Sequence, residues 1–186
     1  MISVIRERLK AYNAKTVECA RTTVAGVIVP IFEKNDEVFF LLTKRSDEVR
    51  FHRGEVSFPG GMYEEKDGDT LRTALRECCE EIGVRTKDVE IIGRLDDVYT
   101  STGFVISPYV GIIPYPYVFH TSPEEVAYTI SLPYAYLKET TPVLETAMYN
   151  GKSHNMLSIY HEGDRIWGAT YRMLSQVKSI IESEGV

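Results

Sequence analysis

The segment Leu71-Arg-Thr-Ala-Leu-Arg-Glu-Cys-Cys-Glu-Glu-Ile-Gly-Val84 constrains this chain more than any other. Its spacing predicts a helix capped by Asp69 or Thr70, running through about Ile82 and stopping at Gly83. At about 100° per residue, with Glu77 set at zero, Glu80 falls at about −60° and Glu81 at about +40°. Leu71, Ala74, Leu75, Cys78, Cys79 and Ile82 lie between about +60° and +200° on the same wheel. One side must therefore be buried against another layer, while Glu77, Glu80 and Glu81 share the solvent side.

Like charges at these spacings repel, and Arg76, one turn before Glu80, is the only basic residue close by. Arg76 can pair with Glu80 or hold the acidic set in place. Clustered carboxylates suit a hard divalent cation, and Mg²⁺ recruits one or two of them together with substrate phosphates. A solvated acidic face would look similar, so context decides. Upstream, Phe58-Pro-Gly-Gly61 lets backbone approach an ion or phosphate where a Cβ would block it, or simply forms a turn. Placed shortly before the acidic face, it suggests a loop folded over the helix with a carbonyl available as a further ligand.

The chain has 186 residues, 44% hydrophobic and 26% charged, which fits a single globular domain over residues 1–186. A net charge of −6 with no basic run argues against a nucleic-acid partner. The longest apolar stretch, Val24 to Phe32, is interrupted by Pro30 and too short to span a membrane. The charged N-terminus lacks the apolar core of a signal peptide. Three cysteines, two of them adjacent and none in a Cys-x-x-Cys pair, read as free, small, buried side chains in a reducing compartment, with no zinc site. The expectation is a soluble cytoplasmic protein.

Around the acidic helix, residues 1–12 read as a short helix. Val24–Phe32 and Val38–Thr43 read as a hairpin across the polar turn 33–36. Residues 44–66 read as loop, and Val89–Leu95 and Phe104–Ile113 as strands. Val126–Leu132 and Tyr134–Leu137 fit either strand or short helix. Asn150-Gly151 is a hairpin signal. Ile166, Trp167, Ala169, Met173, Leu174, Val177, Ile180 and Ile181 read as one face of a C-terminal helix. Interleaved strands and helices predict one α/β layered domain.

With these residues in view, the chain resembles the Nudix hydrolases, whose box reads G-x5-E-x7-R-E-U-x-E-E-x-G-U, with U a bulky aliphatic residue. Gly61 opens it and Arg76-Glu-Cys-Cys-Glu-Glu-Ile-Gly-Val84 closes it. Two departures stand out. Asp67 occupies the first acidic position, with eight residues instead of seven separating it from Arg76, and Cys78 stands at an aliphatic position. A second stretch, Leu41-Leu-Thr-Lys-Arg-Ser46 with Arg50, Gly54 and Phe58-Pro-Gly-Gly61, is similar to the L-L-T-x-R-S-x3-R-x3-G-x3-F-P-G-G pattern of the coenzyme A pyrophosphatase branch, as is Ile166-Trp-Gly-Ala-Thr170 to its C-terminal segment.

The resemblance implies a Nudix-type α/β/α sandwich around a mixed β-sheet. It implies Mg²⁺ or Mn²⁺ held by Glu77, Glu80 and Glu81, with the Gly60 carbonyl as a further ligand. The implied reaction is hydrolysis of a nucleoside-diphosphate-linked pyrophosphate. For this branch, coenzyme A or an acyl-coenzyme A would give 3′,5′-ADP and 4′-phosphopantetheine. ADP-ribose, dinucleotides and nucleoside triphosphates are the alternatives within the same chemistry. A non-catalytic nucleotide-binding module is a third reading, disfavoured because all three box glutamates are present.

A general base, worth about 10²–10⁴-fold, is sought in Glu81 or in the later Ser122-Pro-Glu124-Glu125 loop, where Glu124 and Glu125 are both open. Lys44, Arg45, Arg50, His52 and Arg53 precede the glycines and either meet substrate phosphate, with Gly61 close by, or brace the loop through Asp47 and Glu55. Ten of the twelve tyrosines lie from Tyr99 to Tyr171. Among them Tyr109, Tyr115, Tyr117, Tyr134 and Tyr136 suit adenine stacking, sheet packing or the interface of a homodimer. Glu80→Gln and Glu81→Gln are each expected to lower turnover by roughly tenfold or more while sparing the fold.

Overall fold

The computed structural model describes residues 1–17, 22–49, 52–100, 103–149 and 152–183. The chain begins with α1 (Ile2–Ala11), whose helical spacing buries Ile5 and Leu9. Strands β1 (Thr23–Lys34) and β2 (Glu37–Arg45) then form the expected hairpin. At its turn, Asn35 and Asp36 have φ of 52° and 63°, the left-handed geometry whose twist matches the flanking strands.

Residues 44–66 are not all loop. They contain β3 (Val56–Ser57), paired with β2, and β4 (Gly60–Met62), paired with β1. Elements of two or three residues carry no periodicity of their own, and their extended form comes from hydrogen-bonding to longer neighbours. After a 3₁₀ turn at Glu65–Asp67 comes α2 (Thr70–Ile82), and after a second at Thr86–Asp88 come β5 (Glu90–Arg94), β6 (Val98–Tyr99) and β7 (Phe104–Ile112). The segment open to either reading divides into a strand, β8 (Val126–Pro133), and a helix, α3 (Tyr134–Glu139).

Strands β9 (Val143–Tyr149) and β10 (Lys152–His161) pair antiparallel, with Tyr149 opposite Lys152. The Asn150-Gly151 turn expected between them lies outside the described residues. Ile166 and Trp167 belong to β11 (Asp164–Trp167), not to the C-terminal helix. They pair with Ile159 and Ser158 of β10, and α4 (Gly168–Glu182) begins only after them. Their apolar spacing satisfies both a strand and a helix, and the ladder to β10 decides it.

Among the described residues the main sheet has eight strands, with β1 parallel to β7 and antiparallel to β2 and β4, so it is mixed. A three-stranded sheet β11-β10-β9 stands beside it. Strand β1 is buried on both faces, which is why it reads as a nearly continuous apolar run. Val27, Val29 and Ile31 share a core with Ile5, Leu9, Leu174 and Val177 of α1 and α4. Ile28 and Phe32 face Ala74, Cys78 and Ile82 of α2. Helices thus cover both faces of a mixed sheet, the α/β sandwich expected. Among the described residues, no helix is long and apolar enough to cross a membrane.

Candidate functional site

Helix α2 is fixed at both ends by its own residues. The Asp69 side chain accepts from Arg72 N at 2.8 Å, and Gly83, with φ of 72°, donates its N–H to the Cys79 carbonyl at 3.0 Å. A Cβ on Gly83 would lie 3.0 Å from the His120 Cβ, so the helix end also leaves room for a crossing segment. Cys78 is buried as the wheel requires, and burial pushes its thiol up to about 12. Cys79, expected in the buried set, is exposed: the sheet covers a narrower arc of the helix than the wheel assigns to it. Cys19 lies outside the described residues.

Carboxylate oxygens of Glu77, Glu81 and Glu125 lie within 4.8 Å of one another. Two of these acids come from successive turns of α2 and the third from the loop before β8. Glu81, expected on the solvent side, is only 2% exposed. The wheel places it at the edge of the acidic face, and the loop crossing the helix end closes over that edge through Ser122 N–H on the Glu81 carbonyl at 3.0 Å. Burial pushes the Glu81 carboxyl up to about 8; Glu77 and Glu125 push the same way, against the Arg45 charge and a backbone hydrogen bond from Gly60. Its Oε2 is buried without a hydrogen-bond partner among the described residues. Burial also raises the Glu77 carboxyl, against the pull of Arg76.

The glycines lie beneath these acids. A Cβ on Gly61 would fall 2.4 Å from Glu77 Oε1, so only glycine leaves this carboxylate its place. Arg76 organises the outer side. Its Nη1 reaches Glu77 at 2.8 Å and Glu80 at 2.9 Å, and Nε and Nη2 hold Asp67. Glu80 is exposed and tied to Arg76. Among the described residues it is not one of the three converging acids.

Of the two loop acids left open, Glu125 joins the cluster and Glu124 is exposed outside it. Nothing along the chain signals how Glu125 is delivered. Ser122 N–H bonds Glu81 O, and Ser46 N–H bonds Glu125 O at 2.9 Å. These are backbone contacts between distant segments, and no residue type signals them.

The basic candidates separate. Arg45 acts electrostatically on Glu81, and its Nε is buried without a partner among the described residues. Lys44 is committed to Asp164 at 2.8 Å, where Tyr128 Oη also donates. His52 pairs with Glu55 at 3.1 Å on an exposed turn, and Arg53 Nε donates to Val49 O. Arg50 lies outside the described residues. Tyr109 bonds Thr70 at 2.7 Å, Tyr115 stacks on Phe32, and Tyr134 is in the core, all packing roles.

Three hard oxygen acids around a buried, unpartnered carboxylate oxygen form a donor set for a divalent cation. Their mutual repulsion and the desolvation of Glu81 are both relieved by positive charge placed between them. The neighbouring unpartnered Arg45 Nε is a donor for an anion brought to the same place.

A family model of the NUDIX domain matches residues 22–145. The uncharacterized Nudix hydrolase NudL of Yersinia enterocolitica is 34% identical over 154 residues, spanning 82% of this chain and 78% of that protein. The protein of the same name from Citrobacter koseri is 38% identical over 149 residues, spanning 79% and 71%. Among solved structures, the NUDIX domain of Shewanella oneidensis NrtR complexed with ADP ribose aligns over 91% of this chain and 90% of its own, with a TM-score of 0.57 and 16% identity. A MutT/nudix family protein from Enterococcus faecalis aligns over 81% and 52%, with a TM-score of 0.52 and 16% identity. At such identities the structural likeness concerns the fold.

Proposed function

The chain belongs to the NUDIX domain family, and from that membership we propose that it hydrolyses the pyrophosphate of coenzyme A or an acyl-coenzyme A, using Mg²⁺ or Mn²⁺. It is a Nudix pyrophosphohydrolase, of a family that uses divalent metal ions and acts on nucleotides. The observation that carries the reading is the convergence of Glu77, Glu81 and Glu125 around a buried oxygen that has no partner among the described residues. The coenzyme A assignment rests on the Leu41-to-Gly61 pattern, with Arg45 at the site.

Glu77, Glu81 and Glu125 would hold the cation, with Glu80 next on the helix face and Gly60, whose backbone hydrogen-bonds Glu81, offering its carbonyl as a further ligand. A bound divalent cation would neutralise these acids, polarise phosphoryl oxygens and acidify water. Arg76 keeps Glu77 aimed by its hydrogen bond and stays charged by its contacts to three acids. Arg45 offers its Nε, unpartnered among the described residues, to a phosphate oxygen, where the guanidinium stabilises charge building on the leaving phosphate. The proton of the attacking water goes to an acid of the cluster, drawn from Glu81 and Glu125.

The test is product analysis. Purified protein is incubated with Mg²⁺ or Mn²⁺ and a panel of coenzyme A, 3′-dephospho-coenzyme A, acetyl-coenzyme A, ADP-ribose, NADH and diadenosine polyphosphates. The expected result is release of 3′,5′-ADP from coenzyme A, faster than cleavage of the dephospho form. Preference for ADP-ribose would overturn the substrate assignment.

A further inference from the structure

The loop that brings Glu125 to the acids is anchored a second time, well before it arrives. Residues 113–125, between β7 and β8, form no strand or helix, and irregular connections of this length in compact domains are usually functional. Tyr115 stacks on Phe32, with ring centroids 5.2 Å apart. The Tyr117 hydroxyl accepts from Arg85 N at 3.1 Å and donates to Asp88 Oδ2 at 2.8 Å, and Arg85 Nε donates to that same oxygen at 2.7 Å. Farther along, His120 N–H bonds Ile82 O at 3.1 Å, where Gly83 leaves the space, and Ser122 N–H bonds Glu81 O. The segment is laid across the C-terminal end of α2 by contacts at both of its ends.

This arrangement answers an electrostatic problem. Three carboxylates within 4.8 Å repel, and the one carried on a loop stays only through contacts made by that loop, Ser46 N–H on the Glu125 carbonyl among them. We propose that Tyr117 is a positioning residue: latched to Asp88 and to Arg85 N, it holds residues 113–125 across α2 so that Glu125 stands with Glu77 and Glu81 before a cation arrives. A hydroxyl bonded to an ionised carboxylate is stronger than a neutral pair, and Arg85, then Tyr117, hold the Asp88 carboxyl below its ordinary range. A site assembled in advance forgoes the ordering cost that a loose loop would charge against each binding event. The inference rests on the reading that these three acids hold the cation.

Mn²⁺ alone, titrated calorimetrically into the full chain, tests it. Glu125→Gln should weaken Mn²⁺ binding by roughly tenfold, and Tyr117→Phe by roughly threefold or more while the protein stays folded by circular dichroism. Asp88→Asn should reproduce Tyr117→Phe without touching the ring. In the double variant Tyr117→Phe/Glu125→Gln, Mn²⁺ should bind no more weakly than in Glu125→Gln alone, because Tyr117 acts only through that carboxylate. Wild-type affinity in Tyr117→Phe, or losses that multiply in the double variant, overturn the inference. Wild-type affinity in Glu125→Gln overturns instead the reading beneath it.

Discussion

Arg76 grips Asp67 with two prongs of its guanidinium, Nε at 2.8 Å from Oδ1 and Nη2 at 3.0 Å from Oδ2. Thr73 Oγ1 donates to Oδ2 at 2.9 Å, and Glu64 N–H donates to it at 3.2 Å. The acid at the first box position therefore joins the preceding 3₁₀ turn to α2 and does not point at the Glu77–Glu81–Glu125 cluster. Its replacement of glutamate, with one extra residue before Arg76, leaves this clamp intact.

Asp67→Asn should lower the melting temperature on the order of 5 °C, through loss of a buried, charge-assisted pair. Arg76 holds the Asp67 carboxyl well below the ordinary aspartate range. A depressed folded-state pKa means the stabilisation is present above the unfolded value and disappears as pH falls through the acid range. Thermal melts from pH 6 down to pH 2 should show the wild type losing its advantage over Asp67→Asn. A constant difference across that range would contradict the clamp.

Glu81→Gln should reduce turnover by roughly a hundredfold or more, and Glu80→Gln, on the exposed side, by roughly tenfold. Cation-free stability should move the other way. Folded Glu81 holds its proton to about 8 against an ordinary value of 4.5, so between these values the folded state binds more protons than the unfolded chain. Stability then falls as pH rises through that window and levels off above it. Glutamine has no proton to lose, so in chelator the Glu81→Gln protein should melt above wild type by a margin that grows from pH 5 to pH 8. About 1 kcal/mol would appear as roughly 2–4 °C.

Cation binding near neutral pH should expel the Glu81 proton. Calorimetric titrations of Mn²⁺ at pH 7 in buffers of different ionisation enthalpy should report release of roughly one proton, and affinity should rise with pH until about 8. No proton release would mean that Glu81 is not among the groups the cation contacts.

Gly61→Ala places a methyl group 2.4 Å from Glu77 Oε1 and 2.5 Å from its carboxyl carbon. The Glu77 side chain is the part able to move, so the cost should fall on turnover, by roughly tenfold or more, with a small change in melting temperature. Steady-state kinetics beside a thermal melt separates this from general destabilisation.

Glu124 and Glu125 are neighbours with different fates. Glu125→Gln should lower turnover by roughly tenfold or more and Glu124→Gln by roughly twofold or less, since only the former meets the acids of α2. The reverse order would show that the loop turns over when substrate binds.

Much of this molecule could be read along the chain. Helix α2, its Asp69 cap, its Gly83 stop and its acidic side follow from periodicity and end chemistry among consecutive residues. The buried strand β1 follows from a run of apolar, mostly β-branched side chains. Partners far apart in the chain settled the remainder. Glu81 became buried because residues near Ser122 fold over the helix end, and Glu125 was chosen over Glu124 by the hydrogen bonds of Ser46 N–H to Glu125 O and of Ser122 N–H to Glu81 O. Lys44 was taken from the basic set by Asp164, and Ile166 and Trp167 became strand because β10 lay alongside. Periodicity is a local property of the backbone, whereas desolvation and charge pairing depend on what distant segments bring into contact, and no window of sequence contains both partners.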